Sequence, residues 1–370
     1  MQPPSSSRFR PRRIGIAGAG LLGRLLALQL SQRGHEVHVF DPAPHAEARG
    51  AAGWTAAGML SPVAELECAD ENVFRLGLRS IELWPGILQG LGVPVEFRFD
   101  GSLLLAHRGD EGAARRVLDL LTHKMNALDS RLRGNDGGFV TPAQAGAQGM
   151  APQALSAADL RGLEPSIRGP AHAWLLPHEG RLHTVQAMQA LAAAARDVHW
   201  HWGRRVDHAA PGVLRTDAGE QRFDHVFDVR GTGARPDLPV RGVRGEIFWL
   251  QAPGLSLQRP LRLLHPRHRV YLVPRAPDLV VVGASEIESE DRSPVSLRST
   301  VELLAAAHSV VPELAEARIV HGETNLRPAL PDNLPHSETQ DGLTRINGLF
   351  RHGWLIAPAL VERALEDLSA

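Results

Sequence analysis

The run IGIAGAGLLGRLLALQLSQRGHEVHVFD, residues 14–41, constrains the fold more than any other part of the chain. Residues 14–17 read as a buried strand, Gly18, Gly20 and Gly23 follow in G-x-G-x-x-G spacing, and a helical pattern comes next. Gly18 permits a tight turn, Gly20 lets backbone approach a pyrophosphate without an intervening Cβ, and Gly23 lets the helix sit close to the sheet. A pyrophosphate would rest on the unpaired N–H groups at the positive end of that helix. Leu25, Leu26, Leu28 and Leu30 supply its apolar faces, Gly34 stops it, and VHVF forms a second strand ending at Asp41. A carboxylate there accepts hydrogen bonds from ribose hydroxyls, which argues for a dinucleotide without a 2′-phosphate and so against NADP.

A chain of 370 residues exceeds the size at which one core stops growing, so two domains are expected. The net charge of -1 creates no field for nucleic acid or an anionic membrane, so neither is expected as a partner. Cys68 is the single cysteine. No internal disulfide can form, and a reducing compartment, the cytoplasm, is the simplest inference. The basic N-terminus superficially mimics a signal peptide, but glycines and Arg24 interrupt the apolar run behind it, so residues 1–12 read as a flexible leader. No uninterrupted apolar run is long enough to span a bilayer.

After Asp41 comes a small-residue loop, with a short helix expected at 56–60 and backbone able to approach a ligand closely. Phe74, Leu78, Ile81, Trp84 and Leu88 predict a helix over 71–91, with a kink or a second short helix at Pro85. Residues 95–107 alternate and read as two strands about Asp100-Gly101, and a helix with Val117, Leu118 and Leu121 follows. Composition then breaks. Residues 123–153 are glycine-rich with little periodicity, ALDSRLRGNDGGFVTPAQAGAQ resembles a translated dispersed genomic repeat, and the segment reads as a mobile surface insertion. Ser156 predicts an N-capped helix ending before Pro165, and an Ala-rich helix follows over 184–195. VHWHW and DHVFDV read as strands, and Gly231 and Gly233 as a tight turn near the nucleotide. RGEIFWLQA, then YLVPR and LVVVG as a hairpin, suggest an antiparallel second sheet. Finally GLFRHGW is a glycine turn opening the last helix. A second positive helix end near a dinucleotide suits the anionic edge of a reduced flavin, a need NAD would not have.

Assembled, GAGLLG with Asp41, WTAAGMLSPVAELE, VRGEIFWL, YLVPR with VVGASEIESEDRS, NLRPALPDN and FRHGWLIAPA resemble the FAD-dependent amino-acid oxidases of the D-amino-acid oxidase type, most closely glycine oxidases of thiamine biosynthesis. The resemblance covers nearly everything except the leader and the 123–153 insertion. It implies an α/β fold: a Rossmann-like FAD-binding domain from residues 1–82, 154–238 and 322–370, and an antiparallel-sheet substrate domain from 83–153 and 239–321. By the same resemblance, FAD contacts fall on Gly18, Gly20, Leu22, Gly23 and Asp41, on Thr55, Ala57, Gly58 and Met59, on Val206 beside the adenine half, and on Gly233. The last glycine turn adds Arg351, His352, Gly353, Trp354, Leu355 and Ile356. The family's acid is usually Glu; Asp41 is one methylene shorter, so its hydroxyl contact is weaker or bridged by water.

The resemblance also implies that Arg327, in the L-R-P segment, holds a substrate carboxylate with help from the hydroxyl of Tyr271, the only tyrosine in the chain. A guanidinium fork suits that job. Arg351 either faces the substrate or holds the C-terminal turn. One departure stands out: Ala284-Ser285-Glu286 replaces the methionine some relatives carry, and the sequence leaves open whether Glu286 points outward, repels bulky anions or attracts an amine. The implied reaction converts a small amino acid, glycine first, to its imine, with O2 reduced to H2O2 and a hand-off to thiazole synthesis. Sarcosine or another secondary amine, a D-amino-acid dehydrogenase, a NAD-dependent dehydrogenase and a non-catalytic flavoprotein remain as alternatives. His199 and His201 share one strand face and suggest a metal pair, but no third ligand is evident, so no metal is expected. No G-x-S-x-G elbow occurs, and Cys68 beside acidic residues lacks the electropositive setting of a reactive thiolate. A homo-oligomer is permitted but not specified.

Overall fold

A computed structural model describes residues 11–133, 149–265 and 269–369. The strand Arg13–Ala17, the helix Leu21–Gln32 and the strand Glu36–Asp41 follow one another as the fingerprint requires. Arg13–Ala17 lies inside a six-stranded sheet, with Glu36–Asp41 and Val198–Trp202 on one side and His225–Asp228, Leu343–Asn347 and His336–Gln340 on the other. All neighbours pair in parallel except the last two. Ile14, Ile16, Leu25, Leu26 and Leu30 are fully buried in its core.

Arg24 is buried there too. It donates to the carbonyls of Ala19, Met188 and Ala46 at 2.8, 2.6 and 2.6 Å, which offsets the loss of water around the charge. Burial still pulls its pKa down to about 10.

The second large sheet has eight strands in the order Arg318–Ala329, Arg241–Gln251, Leu279–Gly283, Arg269–Arg275, Leu261–Leu264, Ser102–Ala106, His172–Leu176, Gln153–Leu155. It is antiparallel except where Leu261–Leu264 runs parallel to Ser102–Ala106. Residues 103–106 of Ser102–Ala106 are an unbroken apolar run because both faces are covered. Leu103 and Leu105 pack under the helix Leu297–Val310, while Leu104 and Ala106 pack under the helix Glu111–Arg133.

Several expectations change. The helix expected at 56–60 lies earlier, at Ala52–Thr55, and Met59–Leu60 is a strand pairing with Gly180–Leu182. One helix, Glu71–Gln89, runs through Pro85. The last helix holds it there: Arg79 meets Glu362 at 2.7 Å, and Trp84 Nε1 donates to the Trp354 carbonyl at 3.1 Å. Part of the expected insertion, up to Arg133, belongs to the helix Glu111–Arg133, where Lys124 donates to the carbonyls of Leu66 and Ala69. Residues 134–148, like leader residues 1–10, lie outside the described residues. Sheet membership also departs from the expected segment boundaries. Strands Gln153–Leu155 and His172–Leu176 join the eight-stranded sheet because the latter pairs with Ser102–Ala106, and Arg318–Ala329 stays in that sheet well past residue 322.

Candidate active site

A cavity of about 1040 Å³ lies between the two sheets, large enough for a dinucleotide and a small substrate together. The opening and closing glycine bends both line it, and the closing bend is tied to the small-residue loop after Asp41. Trp354 Nε1, in the first turn of the last helix, donates to the Gly53 carbonyl at 3.0 Å. The closing bend carries Gly348 at φ 71° and Phe350 at φ 47°, which turns the chain sharply into the helix Gly353–Ser369.

At the opening bend Gly18 has φ 104°, and a Cβ there would stand 2.7 Å from the Val229 carbonyl oxygen. A Cβ on Gly23 would fall 1.8 Å from the Gly18 carbonyl oxygen, so Gly23 serves helix-to-strand packing and does not line the cavity. Gly20 differs: its missing Cβ would meet only Ala51 Cβ, at 3.6 Å. Gly20 is also the N-cap of the helix Leu21–Gln32 and offers no side chain to its first N–H groups. Bare backbone donors at a helix N-terminus, facing a cavity, form a pyrophosphate cradle.

Asp41 lines the same cavity, but its carboxylate already accepts from the N–H groups of Ala19 at 2.6 Å and Ala43 at 2.8 Å. It therefore braces the glycine turn as well as presenting oxygen to a ribose. Leu22, Thr55, Ala57, Gly58, Met59, Val206 and Gly233 all line the cavity, as do Arg351, His352, Gly353, Trp354 and Leu355. Ile356 does not. It is fully buried in the core beside the parallel sheet, because it faces inward from the last helix. The Val206 carbonyl is taken by Arg230 Nη1 at 3.1 Å, and Arg230 is held in turn by Asp228 and Asp237. These residues fit FAD: a side-chain-free cradle, an acid one strand away, and a second helix N-terminus at the far end.

The opposite wall is the eight-stranded sheet, and glycines on its central strands make room for large polar side chains. The Arg327 guanidinium lies over Gly245, whose Cβ would be 2.6 Å from Cζ; the Tyr271 hydroxyl lies over Gly283, whose Cβ would be 2.6 Å from it. Arg262 follows on the next strand, directly opposite Tyr271 in register. Arg327, Tyr271 and Arg262 thus cross one face of the sheet and line the cavity. Asn325, two residues before Arg327, donates to the carbonyls of Arg49 and Ala51 and to Thr55 Oγ1, at 3.2, 3.0 and 3.1 Å, which docks the Arg327 strand against the small-residue loop.

Electrostatics divide these cations into paired and unpaired. Glu65, fully enclosed, takes Arg262 Nη2 at 2.7 Å, Arg351 Nε at 3.2 Å and His352 Nδ1 at 3.1 Å. Burial alone would raise its pKa, but Arg351 and Arg262 outweigh that and hold it well below the ordinary carboxylate range. Arg351 Nη1 also reaches Glu286 at 3.3 Å, which answers the question the sequence left open: Glu286 points at Arg351 across the cavity rim. Arg327 has no carboxylate partner among the described residues; its Nη1 donates only to the Ser285 carbonyl at 3.0 Å. Burial lowers its pKa and raises that of the Tyr271 hydroxyl, while each group favours the charged form of the other. Such a pair gains by admitting one carboxylate.

Sequence reasoning missed Gly245, Gly283, Arg262, Glu65 and Asn325. The glycines and Arg262 acquire meaning only through strand register, and Glu65 and Asn325 sat inside quoted motifs without a signal of their own. Cys68 lies nearer to cations than expected, since Arg269 Nη1 donates to its Sγ at 2.9 Å and Arg351 Nη1 at 3.9 Å, yet burial raises the pKa of the thiol, so it is not an activated thiolate.

Comparison with known proteins agrees with this geometry. Residues 13–364 match the family model described as FAD dependent oxidoreductase. A thiamine biosynthesis oxidoreductase, ThiO, of Rhizobium etli is 36% identical over 353 residues, covering 94% of each chain. A bifunctional protein ThiO/ThiG of Nostoc is 28% identical over 94% of this chain, which spans 51% of that longer protein. The crystal structure of glycine oxidase from Geobacillus kaustophilus superposes with a TM-score of 0.79 at 25% identity, covering 97% of this chain and 94% of that one. Among the described residues, no helix is long and apolar enough to cross a membrane. With the family model spanning both sheets and the cavity between them, the chain belongs to the FAD-dependent oxidoreductase (DAO) family and is a FAD-dependent enzyme.

Proposed function

We propose that this enzyme oxidises a small amino acid, glycine first, to its imine, with O2 reduced to H2O2, and that the imine serves thiazole formation in thiamine biosynthesis. The observation that carries this reading is the buried Arg327 guanidinium, without a carboxylate partner among the described residues, on the same cavity wall as the Tyr271 hydroxyl. The parallel-sheet side would hold FAD through Gly18, Gly20, Asp41 and the last helix N-terminus, and the eight-stranded sheet would hold substrate. The chemistry a bound FAD supplies is acceptance of two electrons from the amine, which O2 then takes up.

The chain's own residues do the positioning. Arg327 binds the carboxylate through two parallel N–H donors, and Tyr271, kept protonated by burial, donates a third hydrogen bond. Fixing the carboxylate presents the α-carbon in one orientation, and a neutral substrate amine then needs no side-chain base. Glu65 anchors Arg262 and Arg351 so that neither collapses onto Arg327's ligand. Glu286 neutralises Arg351, leaving the site balanced for one carboxylate and not two. The Geobacillus glycine oxidase supports the substrate class, and the Rhizobium thiamine biosynthesis relative and the joining of ThiO to ThiG in the Nostoc protein support a hand-off.

An oxygen electrode tests the reading. Glycine should drive O2 consumption with matching peroxide, more efficiently than sarcosine or D-alanine. Reduction by these amines without O2 uptake would replace the oxidase by a dehydrogenase, and silence with all of them would defeat the proposal.

A further inference from the structure

The pairing of two strands gathers polar side chains that the cavity does not use. Side chains alternate along a strand, so Glu36, His38 and Phe40 share one face of Glu36–Asp41, and His199 and His201 share one face of the edge strand Val198–Trp202. Parallel register sets His38 opposite His199 and Phe40 opposite His201, which puts these rings on the same side of the sheet. His38 Nε2 lies 2.8 Å from Glu36 Oε1, and the His38 and His199 rings stack at 4.5 Å. Ligand atoms of Glu36, His38 and His199 all lie within 4.8 Å of one another.

We propose that Glu36, His38 and His199 bind a divalent transition-metal ion of the Zn²⁺ type, with His201 as the outer partner that orients His38. Two imidazoles and a carboxylate form a ligand set Zn²⁺ accepts, with water completing the tetrahedron. The ligands missing from the sequence, Glu36 and His38, come from the neighbouring strand and join His199, while His201 stands outside the ligand set. His201 adds an independent observation: its Nε2 lies 3.1 Å from His38 Nδ1, so with Nε2 on the ion the Nδ1–H has an acceptor waiting, the usual arrangement behind a metal-bound histidine.

Ligand atoms on a tetrahedral zinc stand about 3.3 Å apart, so the widest gap closes by at most about 1.5 Å. Glu36 and His199 are both exposed and can make that adjustment. One group opposes the ion. Arg13, stacked 4.6 Å over Phe223, reaches Glu36 Oε1 with Nε at 3.4 Å, and it would have to release that oxygen or tolerate the added charge. The affinity should therefore be moderate, about micromolar, rather than that of a closed structural zinc. An ion here would clamp the edge strand to the strand that ends at Asp41.

The test uses the FAD-loaded full chain without an affinity tag, stripped with chelator and titrated with ZnCl2 by calorimetry, with melting temperature read in parallel. Expected are one site of about micromolar Kd and a melting temperature that rises with Zn²⁺. His199→Ala and Glu36→Gln, both surface changes, should each weaken binding at least about tenfold and abolish the thermal shift. His308→Ala, an exposed histidine on another helix, should bind as the parent does. Absence of binding at 1 mM Zn²⁺ overturns the proposal, as does equal binding by the His199→Ala and Glu36→Gln proteins.

Discussion

The two walls of the cavity are built on opposite plans. The nucleotide-facing wall is made mostly of what is absent: no Cβ at Gly18 or Gly20, no side chain capping the helix Leu21–Gln32, and backbone donors left bare. The substrate-facing wall is made of large polar and charged side chains, with Arg327 laid over Gly245, Tyr271 over Gly283, and Glu65 holding Arg262 and Arg351. A backbone cradle binds a phosphate whatever lies farther along the ligand. A wall of guanidiniums selects by counting charge, and one paired or unpaired arginine changes the count.

The comparison is broken most severely at the glycines. Gly23→Ala should abolish folding or FAD retention, because its Cβ would fall 1.8 Å from the Gly18 carbonyl oxygen. Gly20→Val should leave a folded chain, since that Cβ meets only Ala51, yet lose FAD; flavin absorbance against protein absorbance, together with apo melting temperature, separates the two. Were Gly20→Val to retain its flavin, the cradle assignment would fall.

On the other wall Arg327→Ala should keep FAD and lose about 10²- to 10³-fold in kcat/KM for glycine, the loss of a buried charge-assisted pair at ~3–4 kcal/mol. An unchanged KM would make Arg327 structural.

Acid should weaken the nucleotide-facing region. His225, inside the parallel sheet, and His183, capping the helix Thr184–Ala194, have pKa values pushed down from 6.5 to about 4, mainly by burial. Below the unfolded value the unfolded chain binds the proton first. Stability is therefore full above pH 6.5 and is lost as pH falls toward 4, by at most about 3 kcal/mol for each histidine. Melting temperature against pH should show that slope, and His225→Gln should flatten it.

The smallest effect sharpens the charge-counting idea. Glu286→Gln should change glycine turnover less than about threefold, while raising relative activity on iminodiacetate, a dicarboxylic amine, about tenfold by freeing Arg351. Equal responses to the two substrates would show that Glu286 does not set the count.

Contiguous chemistry was readable along the chain. Strand, glycines, helix and Asp41 lie within 28 residues, and each carries its meaning through its immediate neighbours. The resemblance placed Arg327 and Tyr271, and both line the cavity; it also placed Ile356, which the inward face of the last helix buries instead.

What the sequence by itself determined is this local frame: a dinucleotide fold, its opening and closing bends, and a candidate carboxylate pair. Tertiary structure decided which cations are already paired, which glycines make room for them, that the Arg318–Ala329 strand stays with the substrate wall, and that His38 stands opposite His199. The physical reason is range. Backbone conformation and helix capping act over a few neighbouring residues, whereas Coulomb pairing and strand register join residues such as Glu65, Arg262 and Arg351, whose proximity no local pattern encodes.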